Sequence, residues 1–323
     1  MMKFTPAMKL LCPLASGVLL AATLHAQTFT YTNADLLASF RIAGGASDLV
    51  VDLGQASVFE SLPARSVTPL AKLSTTQLAD ALPTLDGVSW SVGATLRGNP
   101  NYGYALQTIW ITSPRADVNT PGTVWQNAAQ GTLAGSGSHI DAIGFNAVAY
   151  GNGQPAGTDN TSAGIVIPSS SPFSYTFQVG PWGQLDNTFQ GNPENTTPVD
   201  FSTAGLPSRS VLYRLEPDVY PHGAGTLVGF FDFKPDGTLT FTAGPPPERT
   251  TATKVTWNNG TATVWFPTIN LVGYRLRYTD STGLATPIST WNIGSSLVGD
   301  GTTLFLQDAG SDSNRFYTIE AYY

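Results

Sequence analysis

The chain has 323 residues, 11% of them charged, and carries a formal net charge of −7. That length allows two domains, or one large β domain with an appendage, and the Gly- and Pro-rich, charge-poor mix suits many short strands joined by turns. An acidic chain with scattered arginines is a poor match to nucleic acid, so no nucleic-acid partner is expected.

The N-terminus reads as a secretory signal. Lys3 and Lys9 flank the start of an apolar run, Leu10–Leu24, that is too short to span a bilayer, and small residues lead to a cleavage site after Ala26. Removing residues 1–26 takes two lysines and no acid, leaving 13 basic against 22 acidic residues and a formal charge of −9. It also removes Cys12, the only cysteine, so neither a disulfide framework nor a Cys-ligated metal is expected. No later stretch approaches about 18 uninterrupted apolar residues, and the expected product is a secreted or cell-surface protein with no transmembrane segment after signal cleavage.

The organising stretch is Asp35–Gly54. Leu36, Ala38, Phe40 and Ile42 alternate with polar residues, as do Leu49, Val51 and Leu53, and Ala43-Gly44-Gly45-Ala46 turns the chain between them. Matching the apolar faces pairs Phe40 with Leu49 and sets Arg41 opposite Asp48 as an exposed cross-strand pair. Ser74-Thr75-Thr76-Gln77 forms a capping box and starts one short helix that Pro83 ends. Val88–Leu96 and Ala105–Thr112 read as strands whose Trp90 and Trp110 belong in the core; Ile140–Tyr150 fits a strand or a helix, with a strand preferred, and Ser174–Val179 reads as a short strand. Gly151–Gly164 and Gly180–Thr197 read as surface loops. Thr226–Phe233 and Thr238–Phe241 form a hairpin around Lys234-Pro235-Asp236-Gly237.

Residues 244–252 make a Pro-rich linker. Beyond it Val255–Trp257 and Thr261–Phe266 flank an Asn-Gly turn, and Val272–Tyr278, Thr290–Ile293, Thr302–Leu306 and Phe316–Tyr323 add four short strands. The expected architecture is all-β: a sandwich with one short helix over residues 27–243, and a small Ig- or fibronectin-like sandwich over 253–323.

The order DLLASFR, DLVVDLG, TIWITSPR and GTLVGFFDFKPDGTLTF, over about residues 30–242, resembles a group of exported verrucomicrobial proteins, many of which carry a PEP-CTERM sorting tail. The resemblance implies export and a β-rich fold but no chemistry. Where such a tail would stand, this chain has Pro245-Pro246-Pro247-Glu248 and then a segment with Tyr274–Tyr278, Trp291 and Arg315-Phe316-Tyr317 that is similar to fibronectin type III modules.

Catalytic signatures such as HExxH, GxSxG and the P-loop are missing, and no cofactor is expected. His139 and His222 read as ordinary loop histidines. The carboxylate pairs Asp48/Asp52 and Glu216/Asp218 read as a solvated strand face and a polar turn, and Asp308, Asp312 and Asn314 as a polar loop without EF-hand spacing. The loop aromatics Tyr102, Tyr104 and Trp182 are the candidate ligand-binding residues, since rings among Asn and Gly are how many secreted β proteins hold sugars. The expected function is a non-catalytic surface or matrix protein whose partner is an extracellular polysaccharide or a cell-surface protein. A polysaccharide hydrolase using paired carboxylates and a purely structural envelope protein are the alternatives.

Overall fold

The computed structural model describes residues 28–98, 103–118, 122–153, 163–179, 191–245, 250–269, 272–286, 288–309 and 314–322. The signal segment, Tyr102, Trp182 and Asp312 lie outside them.

The opening hairpin forms as its alternation dictates. β1 (Asp35–Ile42) and β2 (Ser47–Gln55) are antiparallel with Phe40 opposite Leu49. There follow α1 (Ala56–Glu60), β3 (Val67–Pro69), α2 (Thr75–Ala81), β4 (Val88–Thr95), β5 (Ile109–Pro114), α3 (Gln130–Asn152), β6 (Gly164–Pro168), α4 (Tyr175–Val179), β7 (Asn195–Thr196), α5 (Phe201–Ala204), β8 (Ser208–Leu215), β9 (Thr226–Phe233) and β10 (Leu239–Ala243). The strands make one antiparallel sheet in the order β3-β10-β9-β8-β5-β4-β1-β2-β6, with β7 alongside the first half of β4 and β5 alongside its second half.

That sheet is curled. In a flat sheet β1 and β9 would stand about 19 Å apart, four strand spacings. Instead the rings of Phe40 and Phe233 meet at 5.2 Å, and Trp90 meets Phe233 at 5.9 Å. The inner face thus closes on itself over Leu36, Phe40, Trp90, Trp110, Phe231 and Phe241, with Phe59 of α1 and Leu78 of α2 filling its ends. The result is the expected sandwich-like, all-β architecture, and both strand tryptophans are core.

The helical content departs from expectation. Ile140–Tyr150 is not a strand but the second half of α3, a 23-residue helix across the outer face of the sheet. Its buried Leu133, Ser136, Gly137, Ile140, Ile143, Gly144 and Ala147 recur every three or four residues. Glycine lets it lie close: a Cβ on Gly144 would stand 2.5 Å from the Tyr31 ring. His139 is therefore a helix residue, not a loop histidine. Ser174–Val179 is likewise helical, because the Ser174 hydroxyl accepts the Phe177 amide at the start of α4. Among the described residues the single expected short helix, α2, is one of five; Ser74 caps it at Gln77, whose side-chain amide donates to the Gly164 carbonyl of edge strand β6.

Residues 254–322 form two three-stranded sheets, β11 (Lys254–Asn258), β12 (Thr261–Pro267) and β15 (Thr303–Asp308), and β14 (Asn292–Val298), β13 (Gly273–Thr279) and β16 (Phe316–Tyr322). Asn259 and Gly260, with φ of 47° and 78°, make the expected tight turn. Val264, Phe266, Tyr274, Leu276 and Leu306 form their core, and Glu320 receives both Arg275 and Arg277. No helix among the described residues is long and apolar enough to cross a membrane.

Candidate functional site

Of the three candidate aromatics, Tyr104 can be placed. It sits edge-on to Trp110 of β5, with ring centroids 5.1 Å apart, and the guanidinium of Arg214 lies over its face at 5.2 Å. Trp110 and Arg214 are register partners on β5 and β8, so the sheet itself places them side by side. Glu60, the last residue of α1, completes the cluster: its two oxygens accept Trp110 Nε1 and Arg214 Nη1, each at 2.5 Å. Arg214 Nη2 also stands 3.5 Å from Glu216, whose side chain is 36% exposed. Burial, then the charge of Glu60, pushes the Tyr104 phenol up.

The division of labour is chemical. Glu60 has both oxygens committed to protein donors and holds the cluster rigid. Tyr104 is half-buried, packed on the inner core with Arg214 over its face, and Glu216, on the other side of Arg214, is the more exposed of the two. Such a set can stack an apolar face and hydrogen-bond polar groups around it. Of these residues the sequence pointed to Tyr104 alone; Glu216 read as part of a polar turn, and Glu60 and Arg214 carried no signal, because they meet only when β8 pairs with β5 across the long intervening chain.

The other acids correct two expectations. Arg41 does not form an exposed pair with Asp48: it takes Glu194 in a two-pronged bridge, at 2.8 and 2.6 Å. Asp48 and Asp52 are not a solvated face, being 0% and 6% exposed under the outer-face helices and loops. Asp48 accepts the Thr176 amide and hydroxyl at 2.5 and 2.8 Å and pins α4; burial raises its carboxyl while Thr176 opposes the rise. Asp52 is pushed up to about 6 by burial and by the neighbouring Asp35, with Lys72 and the Gly54 amide opposing. Asp141 accepts the Tyr31 hydroxyl at 2.7 Å and faces Arg97 at 3.7 Å. These carboxylates serve as anchors of the helices and loops.

In the 216–225 turn Asp218 accepts His222 Nδ1 at 2.5 Å and the Gly223 amide at 2.9 Å, a closed local loop. Asp308 likewise is taken by Arg315 and Tyr317. No group of three or more His, Cys, Asp or Glu among the described residues could hold a metal ion.

No known protein family matches the chain, and neither curated proteins nor solved structures give a significant match.

Proposed function

We propose that this is an exported, non-catalytic protein of the cell surface or extracellular matrix that binds a glycan through the Tyr104 cluster. The observation that carries the reading is a half-buried aromatic ring beside a guanidinium and a partly exposed carboxylate, Tyr104 with Arg214 and Glu216. A sugar presents the complementary surface, an apolar C–H face ringed by hydroxyls. What weighs against hydrolysis is the use already made of the acids: Glu60 is committed at both oxygens, and Asp48 is committed to Thr176. A hydrolytic pair needs two carboxyl groups facing each other across a substrate-wide gap.

Affinity electrophoresis through gels containing soluble polysaccharides tests the proposal. The protein is expected to be retarded by at least one polymer, and Tyr104→Ala to abolish the retardation without changing the far-UV spectrum. Retardation that survives Tyr104→Ala would remove the cluster from the account.

A further inference from the structure

The N-terminal end of β8 carries a second feature, about 20 Å from Arg214 by the rise of the strand. A cavity of about 140 Å³ lies between β7, α5 and the start of β8, lined among others by Arg115, Asn195, Ser208 and Arg209. Arg115, Asn195 and Ser208 are each at least nine-tenths buried.

Two of its polar side chains, Asn195 and Ser208, are held in place with hydrogen-bonding capacity to spare. Asn195 Nδ2 donates to the carbonyls of Arg209, at 2.6 Å, and Arg115, at 3.4 Å. That leaves Asn195 Oδ1 with no donor among the described residues. The Ser208 hydroxyl accepts Trp90 Nε1 at 3.0 Å, which fixes its oxygen, and its own hydrogen reaches no acceptor among the described residues. Arg209 forms a stiff wall: Asp232 takes it at 2.7 and 2.8 Å, the Val118 carbonyl takes Nη1 at 2.9 Å, and its guanidinium lies 4.2 Å from the Phe230 centroid. Leu206 and Pro207 add apolar wall.

From this arrangement we infer that the cavity is a binding site for one monosaccharide-sized polyhydroxyl group, the terminal residue of a glycan. A free acceptor and a free donor on neighbouring, fixed side chains match hydroxyl groups, each of which both donates and accepts. Polar atoms that line a cavity with capacity to spare are met there by a ligand or by ordered water. The volume exceeds what one water needs and falls below the roughly 300–1,000 Å³ of pockets that enclose drug-sized molecules. One sugar ring fits between those limits. The inference extends the glycan-binding reading to a separate site and does not depend on the Tyr104 cluster.

The test titrates the purified protein with glucose, galactose, mannose, N-acetylglucosamine and glucuronate, followed by ligand-observed NMR, with glycerol as the small-polyol control. Saturable binding of at least one sugar, with glycerol silent, is expected. Ala204→Leu, which fills the cavity from α5 and removes no hydrogen bond, should weaken it at least tenfold, and Ser208→Ala by about three- to tenfold. The titrations are run in parallel on the parent and on Tyr104→Ala, so that sugar held at the Tyr104 cluster is separated from sugar held in the cavity, and saturable binding is expected to remain in Tyr104→Ala. No saturable sugar binding, or binding that glycerol matches, assigns the cavity to water and overturns the inference. Binding in Tyr104→Ala that survives the added Ala204→Leu overturns it too, as does loss of all binding in Tyr104→Ala alone, which would place the sugar at the other end of β8.

Discussion

The two faces of the curled sheet are held by different physics. On the inner face Phe40, Trp90, Phe231, Phe233 and Phe241 pack ring to ring, and closure comes from apolar area removed from water. On the outer face α3 and α4 also cover apolar residues, but charged groups fix where they sit: Asp48 to Thr176, Asp141 to Tyr31, and Arg41 to Glu194 in the segment before β7. The ring packing of the inner face contains no titratable group, whereas burial raises the carboxyls of Asp48, Asp52 and Asp141 on the outer face. The difference separates what closes the sheet from what docks segments onto it.

Substitution should break the two faces unequally. Phe233→Ala removes the ring where Phe40, Trp90 and Phe201 converge, and should cost about 3–5 kcal/mol in urea unfolding at any pH. Glu194→Gln leaves the Arg41 guanidinium without its carboxylate. It should cost about 2–3 kcal/mol, less than for a fully buried pair because the Arg41 side chain keeps 20% exposure. Gly144→Ala forces a methyl against the Tyr31 ring and should cost about 1–3 kcal/mol while leaving the inner core's near-UV signal intact.

The pH-dependent effect is the most informative about the outer face. Asp52 has a folded-state pKa of about 6, above its ordinary 3.8, so the native state binds the proton more tightly than the unfolded chain. Its contribution is fully present below pH 3.8 and is lost as pH rises through about 6. Asp52→Asn should then raise the melting temperature at pH 7 and leave it unchanged near pH 3.5. Glu320, held below its ordinary value by Arg275 and Arg277 against the opposing effect of burial, has the opposite sign: its contribution is lost as pH falls through its depressed pKa. Equal and parallel pH profiles for Asp52→Asn and the parent protein would remove the distinction between the faces.

The inner face was legible in the sequence and much of the outer face was not, for one reason. Period-two alternation reports a strand with one face buried, and it placed Phe40 opposite Leu49 and the β9–β10 turn at Lys234–Gly237. Asp48, Asp52 and Arg41 looked solvated by the same rule, because nothing local announces that helices will cover them. Two of the outer-face segments, α3 and α4, also read locally as strands. Glycines 131, 135, 137, 144 and 151 lower helix propensity, yet Gly137 and Gly144 are what let α3 approach Thr95 and Tyr31. Tertiary packing overrode local preference. At the candidate site, Tyr104 was visible as a loop aromatic, whereas Glu60 and Arg214 acquire meaning only from the pairing of β5 with β8.

The central claim is that the protein holds a glycan without cleaving it. The direct measurement is prolonged incubation of the purified protein with a panel of soluble and insoluble polysaccharides, assaying bound protein and released reducing ends in the same tubes. The account predicts retention on at least one polymer, lost in Tyr104→Ala, with no release above the blank. Reducing ends that accumulate in proportion to protein and time, or a panel to which nothing binds, would contradict it.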